Sequence, residues 1–401
     1  MEELHGKIGS AISFAKNMED GAKEQILRMC DYEFTRGAKI RIMPDVHAGV
    51  GCTIGTTMTV TDKVVPNIVG VDIGCGMYTV KLETDKIDFE KFDEAAHYVP
   101  SGKNVWEGRF SKFNLQELNC YRSLNDTRRI EKSIGTLGGG NHFIEIDKAS
   151  DGTFYLVIHS GSRNLGKQVA EIYQKLAVDL SLGKEKMFNQ QEKIIREYKA
   201  KGRRKEIQSA IKELHRQFKI TKSEIPHDLC WVYGKYLQDY LHDIKICQEF
   251  AKLNREKMAK VLLERVGISA GESFHTIHNY IDVEEMILRK GAIAAHKGEK
   301  VLIPINMRDG SVLAIGKGNE DWNFSAPHGA GRIMSRSQAK ENLDMSEYKN
   351  SMEGIYTTSV NEFTLDEAPQ AYKSLSDIID VIDDAVDIVE IMKPVYNFKA
   401  G

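Results

Sequence analysis

Short apolar runs separated by glycine and other turn residues fill two stretches of the chain, residues 36–82 and 270–340. Runs such as residues 56–60 carry the β-branched side chains and the turn boundaries that favour strands. Residues 154–158, Phe-Tyr-Leu-Val-Ile, form an uninterrupted apolar run that predicts a buried strand. These patterns predict sheet-rich regions on both sides of the middle of the chain.

The middle of the chain, residues 167–265, is charged, poor in glycine and helical in composition. Between residues 190 and 218, apolar side chains recur at roughly helical spacing, and Gly202 predicts a break that gives a hairpin of two helices. Residues 374–392 also repeat apolar positions at helical spacing, and Pro394 predicts the end of this amphipathic helix. A helical insert between two glycine-rich flanks favours one composite domain over the whole chain.

Composition narrows the class of protein. Apolar residues are 41% and charged residues 28% of 401, which is typical of a globular chain with a sizeable core. The formal net charge of −3 gives no overall basicity, so any contact with nucleic acid would use a local patch. Six cysteines without a CxxC spacing, no signal-peptide pattern and no run of about 18 apolar residues predict a reduced cytoplasmic protein without a membrane span.

Two glycine-rich segments bring metal-ligating residue types close together. In residues 70–77, Asp72 and Cys75 are three positions apart, so a tight turn can aim a carboxylate and a thiolate at one point. In residues 138–145, three glycines precede an asparagine and His142, and such a loop lets phosphate approach the backbone. Each segment alone is equally compatible with a plain turn, in the first case around a buried cysteine.

Three further segments carry candidate histidines. His159 ends the predicted buried strand and precedes Arg163, which suits a metal ligand beside a phosphate-binding cation, although a buried core histidine is the alternative. His278 lies three residues after His275, a spacing that would place both on one helix face. His328 lies between a proline and glycines in a constrained turn, where a histidine without a metal can act as a nucleophile toward phosphorus.

The candidate ligands form a chemically coherent set of one carboxylate, one thiolate and three imidazoles: Asp72, Cys75, His142, His159 and His278. They suffice for two adjacent metal ions if one ligand bridges, and a thiolate can bridge. Two neighbouring metals are a common device for phosphoryl transfer. His328 then remains available to attack an α-phosphate that the metals polarise.

At these residues the chain closely resembles the RtcB family of RNA-splicing ligases. The matching segments run in order along the chain, and they are Asp-Val-His-Ala-Gly (45–49), GVDIGCGM (70–77), GNHFIEI (140–146), HSGSR (159–163), HNY (278–280), RKGAI (289–293), GKGN (316–319), APHGAGRIMSR (326–336) and DEAPQAYK (366–373). GVDIGCGM together with HGAGR is highly specific. The resemblance implies an α+β fold over residues 1–401, with central mixed β-sheets surrounded by helices and the charged helical insert.

The resemblance also implies a site with two Mn²⁺ ions and GTP. Asp72, Cys75 and His142 would hold one ion, and Cys75, His159 and His278 the other. His328 would form a covalent GMP adduct, with Arg163 and Arg332 stabilising phosphate charge. The implied GTP contacts, among which Glu145 reads the guanine and Lys399 lies near the nucleotide, are Asn141, His142, Phe143, Ile144, Glu145, His278, Asn279, Pro304, Ile305, Asn306, Met307, Ser311, His328, Gly329, Ala330, Gly331 and Lys399.

The implied reaction joins an RNA 3′-phosphate or 2′,3′-cyclic phosphate end to a 5′-hydroxyl end, in tRNA splicing or RNA repair. The implied partners are such RNA ends and an archease-like activator. A basic cluster, residues 199–205, is either an RNA-backbone patch or a solvated helix tip.

Three features depart from the family and suit a divergent branch of it: residues 304–311 lack its usual Pro-Gly-Ser-Met-Gly run, Gly139 stands where another residue is common, and one extra residue follows Lys399 compared with the usual Val-Lys-Gly end. The change in residues 304–311 alters how closely backbone N–H groups can approach phosphate. It leaves two alternatives to the ligase: a metal-dependent RNA phosphoesterase or cyclic phosphodiesterase, and an RNA-end-binding protein without turnover.

Overall fold

The computed structural model describes residues 1–219 and 221–400, and it is a single α+β domain. Ile220 and Gly401, both inside the predicted catalytic domain, lie outside the described residues. The strands are β1 (Glu2–His5), β2 (Ser10–Ser13), β3 (Ile40–His47), β4 (Ile54–Thr59), β5 (Lys63–Val64), β6 (Gly76–Glu83), β7 (Phe143–Lys148), β8 (Phe154–Ser160), β9 (Val232–Tyr233), β10 (Ser269–Ile277), β11 (Asn279–Asp282), β12 (Ile287–Lys290), β13 (Ala292–Ala294), β14 (Lys300–Asn306), β15 (Gly310–Gly316), β16 (Ser325–Pro327) and β17 (Val386–Lys399). The helices are α1 (Asp20–Cys30), α2 (Pro66–Val69), α3 (Phe89–Tyr98), α4 (Thr127–Lys132), α5 (Arg163–Ser181), α6 (Glu185–Ala200), α7 (Ile207–Gln217), α8 (Gly234–Val266), α9 (Arg336–Asn342), α10 (Met345–Ser351) and α11 (Leu375–Ile379).

Two large sheets organise the molecule. The first has the strand order β1-β2-β3-β4-β12-β11, with β2 and β3 parallel and the other neighbours antiparallel. The second is antiparallel throughout, in the order β10-β6-β8-β7-β17-β15-β14. The first sheet is therefore mixed and the second is purely antiparallel, within the α+β fold that the family resemblance implies.

The predicted buried strand and helical insert are both present. Residues 154–158 begin β8, a central strand of the second sheet, which explains why nearly all of its side chains are buried. Helices α5 to α8 occupy the predicted insert, and Gly202 lies in the turn between α6 and α7 at φ 71°. The 33-residue helix α8 packs against β6, β8 and β10, so the insert is joined to the sheet that carries the site.

The prediction of an amphipathic helix over residues 374–392 is wrong. A short helix, α11, covers Leu375–Ile379, and the chain then forms the 14-residue strand β17. This strand lies between β7 and β15, where its backbone groups pair on both sides. Pro394 lies within the strand, next to a register shift, so it interrupts the pairing and does not end a helix.

A cavity opens between the two large sheets. Its volume is about 680 Å³, and its wall includes His47 and Ile54 from the first sheet and Glu145 and Asn397 from the second.

No helix among residues 1–219 and 221–400 is long and apolar enough to cross a membrane.

Candidate functional site

The five predicted metal ligands meet at this cavity, and all but His142 line its wall. The Cys75 Sγ lies 3.4 Å from His142 Nε2 and 3.3 Å from His159 Nε2. The Nε2 atoms of His159 and His278 are 3.3 Å apart. The Asp72 Oδ2 lies 3.0 Å from His142 Nε2. Cys75 is therefore central, with Asp72 and His142 on one side and His159 and His278 on the other.

Neighbouring strand ends explain how residues so distant in sequence meet. Cys75 immediately precedes β6, and His142 immediately precedes β7, while His159 lies near the end of β8 between these two strands. His278 follows the last residue of β10, which pairs with the first residue of β6. The prediction that His275 and His278 share a helix face is wrong, because His275 lies within β10 and His278 directly follows that strand; His275 stacks on Tyr78.

Backbone carbonyls fix two of the imidazoles with Nε2 toward the cysteine. The Nδ1 atom of His142 is 2.9 Å from Leu137 O, and that of His159 is 3.0 Å from Asn141 O. A carbonyl only accepts, so each Nδ1 carries the proton and each Nε2 presents a lone pair. This arrangement is the outer-shell support that metal-binding histidines ordinarily have.

The donor set fits divalent metal ions. Sulfur at about 2.3 Å and imidazole nitrogen at about 2.0 Å from a tetrahedral ion lie about 3.5 Å apart, close to the separations seen around Cys75. Burial lowers the pKa values of His159 and His278, which keeps both imidazoles neutral and able to ligate. Burial and the neighbouring Asp72 raise the pKa of the Cys75 thiol, so a bound cation would be needed to stabilise its thiolate. Mixed carboxylate, thiolate and imidazole ligation suits transition metals better than Ca²⁺ or Mg²⁺.

Two glycines in the predicted loops are required by close packing around the ligands. A Cβ on Gly138 would lie 2.1 Å from the Arg163 guanidinium and 2.4 Å from His142 Nδ1, and its φ of 95° is also unfavourable for other residues. A Cβ on Gly161 would lie 2.1 Å from Asp72 Oδ1. These glycines let the loops approach the ligand side chains directly.

Two buried residues of α8 hold the loops together, and sequence reasoning missed both. Asn254 Oδ1 accepts from the backbone N–H groups of Gly135 and Thr136, and its Nδ2 donates to Gly161 O. Arg255 Nη1 donates to the carbonyls of Gly74 and Ser160. Both side chains lie in a charged helix without a recognisable motif, so no sequence signal distinguishes them from the surface residues nearby.

His328 lies beside this cluster, directly after β16. Its Nδ1 is 2.6 Å from Asp45 Oδ2, and its backbone N–H donates to the same oxygen at 3.2 Å. Its ring centroid is 4.9 Å from that of His278. The completely buried Asp45 lies on β3. Asp45 belongs to a segment that matched the family, but sequence reasoning gave it no role.

Most of the predicted nucleotide contacts line the cavity. The lining residues among them are Asn141, Phe143, Glu145, Lys399 and residues 278–279, 304–307 and 328–331. Within the described part of the chain, His142, Ile144 and Ser311 are not in the wall. His142 contacts Cys75, which does line the cavity, while Ile144 points into the core from the opposite face of β7, and Ser311 is buried on β15.

The two predicted phosphate-binding arginines already have protein partners. Arg332 lines the cavity, but its guanidinium donates to Met334 O, Asp366 O and the side chains of Glu367 and Tyr372. Arg163 donates to Gly102 O and to Thr136 Oγ1. Both cations are thus fixed in orientation, and their action on phosphate stays a prediction.

The divergent 304–311 segment comprises the turn between β14 and β15 and the adjoining ends of both strands. Asn306 Oδ1 accepts from the backbone N–H groups of Arg308 and Asp309, and its Nδ2 donates to the Asp309 carboxylate. The asparagine therefore stabilises the turn through its side chain. Asn306 also borders the cavity, together with Pro304 and Met307.

The basic cluster at residues 199–205 is exposed at the turn that joins α6 to α7. Arg203 forms an ion pair with Glu206 and stacks over the Tyr198 ring. Arg203 is one of the five basic residues of the cluster. The use of the cluster as an RNA-binding patch stays a prediction.

Comparisons with known proteins agree with this geometry. The family model described as tRNA-splicing ligase RtcB matches residues 32–119 and 112–400. The RNA-splicing ligase RtcB of Escherichia coli K12 is 28% identical over 95% of both chains. The tRNA-splicing ligases RtcB of Archaeoglobus fulgidus and Aeropyrum pernix are 27% and 26% identical, over 91% and 85% of this chain and 88% and 83% of theirs. The family model matches nearly the whole chain, and the E. coli relative aligns with 95% of it, so this protein belongs to the RtcB family.

Proposed function

We propose that the protein is a GTP-dependent RNA ligase, which joins RNA 3′-phosphate or 2′,3′-cyclic phosphate ends to 5′-hydroxyl ends in tRNA splicing or RNA repair. Membership of the RtcB family supports RNA ligation. The observation that carries the GTP-dependent chemistry is His328, which Asp45 holds beside the five-ligand cluster. All of these residues come from one α+β domain, so we propose residues 1–401 as a single catalytic unit.

Two Mn²⁺ ions are proposed at the cluster. Asp72, Cys75 and His142 would hold one, and Cys75, His159 and His278 the other, since Cys75 has ligand atoms on both sides. When bound, such ions polarise phosphate oxygens and neutralise the charge that develops on them. His159 and His278, neutral because burial lowers their pKa values, present lone pairs without a competing proton, whereas the Cys75 thiol would lose its proton when a metal binds.

His328 is the proposed nucleophile. The carboxylate of Asp45 fixes the proton on Nδ1, which leaves the lone pair of Nε2 free to attack the α-phosphorus of GTP. A nitrogen–phosphorus bond forms, and the bond to pyrophosphate breaks. The positive charge that grows on the ring is stabilised by the buried Asp45 carboxylate.

The next two steps transfer the nucleotide and then the RNA. An oxygen of the RNA 3′-phosphate attacks the phosphorus of the adduct and restores neutral His328. The 5′-hydroxyl of the second end then attacks the activated 3′-phosphorus, loses its proton and displaces GMP. Where the end is a cyclic phosphate, water first attacks its phosphorus and the bond to the 2′-oxygen breaks, which leaves a 3′-phosphate and a free 2′-hydroxyl. Arg163 and Arg332 would stabilise charge on the phosphate oxygens.

The nucleotide is proposed to bind along the cavity wall. Glu145 would accept hydrogen bonds from the guanine, and Asn397, which also lines the cavity, donates to its Oε2. Lys399, held by Glu367 at 2.7 Å, would lie near the nucleotide. A cavity of about 680 Å³ is within the range of small-ligand sites. A cytoplasmic location and an archease-like activator stay predictions.

An RNA joining assay tests the proposal. Two labelled oligonucleotides, one ending in a 3′-phosphate and one beginning with a 5′-hydroxyl, are incubated with protein, Mn²⁺ and GTP. We expect a joined product that requires GTP and is not formed by His328→Ala. His296 is a half-exposed histidine outside the cavity wall, so His296→Ala should still form the joined product. Loss of the 3′-phosphate without joining, independent of GTP, would favour the phosphoesterase alternative.

A further inference from the structure

A groove lined by aromatic side chains lies outside the main cavity, where the chain leaves α3. Residues 99–114, which follow this helix, contain no helix or strand, and a connection of this length without secondary structure is typical of functional loops. The groove has a volume of about 540 Å³, and its wall includes Tyr98, Trp106, Arg109 and Phe110. The wall of the main cavity contains none of these four residues.

Three aromatic rings of the groove, those of Tyr98, Trp106 and Phe110, form a stack that we call the aromatic platform. The centroids of the Trp106 and Phe110 rings are 5.4 Å apart with an angle of 20° between the planes, and the Tyr98 ring lies 5.4 Å from that of Trp106. Tyr98 is 51% and Phe110 38% exposed, so two large rings face solvent. Exposed apolar side chains that adjoin one another, unlike isolated ones, mark interaction sites.

Hydrogen bonds hold the platform in place. The Trp106 Nε1–H donates to Gly135 O at 3.2 Å, and the Trp106 backbone N–H donates to Lys132 O at 3.2 Å. Gly135 is itself fixed by Asn254, whose Oδ1 accepts from its N–H at 2.7 Å. The platform is therefore ordered before any ligand arrives, which lowers the entropic cost of binding.

The groove is connected to the metal cluster by two successive hydrogen bonds. Pro100 lines the groove, and its carbonyl accepts from the Leu137 N–H at 3.0 Å. The Leu137 carbonyl in turn accepts from His142 Nδ1 at 2.9 Å. His328, by contrast, adjoins the cluster through His278. A ligand in the groove and GMP on His328 would thus approach the cluster at different ligands.

An excess of positive charge accompanies the platform. Residues 101–132 contain seven cations and four anions, a net charge of +3 in a chain whose net charge is −3. Arg265 near the end of α8 places its guanidinium over the Tyr98 ring, 3.7 Å from the centroid. Arg109 lines the groove beside the anionic Glu107 and is paired with Glu131 at 2.7 Å. Arg265 is therefore the better candidate to meet a phosphate group.

We propose that the aromatic platform binds single-stranded RNA next to the end that is joined, with a base stacked on Phe110 and a phosphate paired with Arg265. Stacking accepts every base, and phosphate pairing does not depend on sequence, so this surface would hold RNA ends of any sequence. The excess of positive charge favours RNA over an apolar protein surface as the occupant. This inference rests on the proposed function of joining RNA ends.

Fluorescence anisotropy with labelled oligoribonucleotides and the full-length protein, without GTP, tests the stacking. One set of RNAs ends in a 3′-phosphate and another begins with a 5′-hydroxyl, and each set places one abasic nucleotide at successive positions from that end. We expect one position at which the missing base lowers affinity at least about fivefold. Phe110→Ala should lower the affinity for intact RNA by a similar factor, with no further loss for that abasic RNA.

Two control variants separate stacking from other effects. Phe110→Tyr keeps an aromatic face and should retain both the affinity and the effect of the abasic nucleotide. Phe363 is 76% exposed outside the groove wall, so Phe363→Ala should bind RNA like the unmodified protein. A loss in Phe110→Ala that is the same for intact and abasic RNA would indicate a packing role and overturn the proposal. Unchanged RNA affinity in Phe110→Ala would also overturn it and leave the groove to a protein partner.

The salt dependence of RNA affinity tests the phosphate contact. Arg265→Gln should lower the slope of log affinity against log salt concentration by about 0.7. Lys260→Gln, which removes a cation of the same helix that is paired with Glu264, should leave the slope unchanged. Equal slopes for Arg265→Gln and the unmodified protein would contradict the pairing. RNA that binds with the expected Phe110 effect but is not joined with GTP would refute the proposed function and leave the platform assignment intact.

Discussion

The pair of Asp45 and His328 gives a quantitative prediction for Asp45→Asn. The carboxylate accepts from the Nδ1 and the backbone N–H of His328 at 2.6 and 3.2 Å, and it is completely buried. An asparagine oxygen can accept the same two hydrogen bonds, so the change removes the charge and keeps the shape. A hydrogen bond to a charged group contributes about 1.5–3 kcal/mol, which corresponds to about a 10–150-fold slower attack on GTP.

The assay follows covalent labelling of the protein by α-labelled GTP in single-turnover experiments with Mn²⁺. We expect the labelling rate of Asp45→Asn to fall while its affinity for GTP changes little, because the charge on the imidazole grows only during the attack. Asp62→Asn removes an exposed carboxylate and serves as the matched control. A labelling rate of Asp45→Asn within about threefold of the unmodified protein would refute the role given to Asp45.

Three further variants test other parts of the account. Cys75→Ser should weaken metal binding, measured by titration calorimetry, at least about 100-fold, because the soft ligand shared by both metal positions is lost. Cys30→Ser, which changes a buried cysteine outside the cluster, should leave the metal affinity unchanged. Equal metal affinities of the two variants would contradict the shared site. Asn254→Leu leaves several buried backbone groups unpaired and should lower the free energy of unfolding by about 2–4 kcal/mol in denaturant titrations, and an unchanged midpoint would argue against its role in holding the loops. Burial raises the pKa of Glu367, but Lys399 and neighbouring cations lower it overall, from 4.5 to about 2, so the carboxylate stabilises the fold above pH 4.5 and this contribution is lost as the pH falls toward 2. Lys399→Met should therefore move acid unfolding, followed by circular dichroism, to higher pH, and the same acid midpoint in both proteins would show that the pair does not stabilise the fold.

The site was more predictable from the sequence than its supporting structure. Metal-ligating residue types stand out because they occur beside glycines, where no packing role requires them, as at Asp72 and Cys75. Their meeting depends on the pairing of β6, β7 and β8, which local patterns do not encode. Asn254 and Arg255 were missed for the same reason, since their partners are backbone groups that only the fold brings near α8.

The error at the C-terminal segment has an identifiable cause. Residues 374–392 show helical spacing of apolar side chains, but the segment is also rich in valine and isoleucine, which favour strands. Tertiary contacts decide the outcome, because β17 supplies the hydrogen-bond partners that the facing edges of β7 and β15 would otherwise lack. The spacing of apolar residues along the chain does not reveal these contacts. The same strand carries Asn397 and Lys399 into the cavity wall, so this error also concealed how that wall is built.

Mapping the covalent nucleotide is the most direct test of the central claim that His328 carries GMP. The protein is incubated with Mn²⁺ and GTP, its intact mass is measured, and the modified peptide is sequenced by mass spectrometry, with His328→Ala and His296→Ala in parallel. The account predicts one GMP per chain, located on His328, in the unmodified protein and in His296→Ala, and none in His328→Ala. GMP on another residue, or an equal amount on His328→Ala, would contradict it.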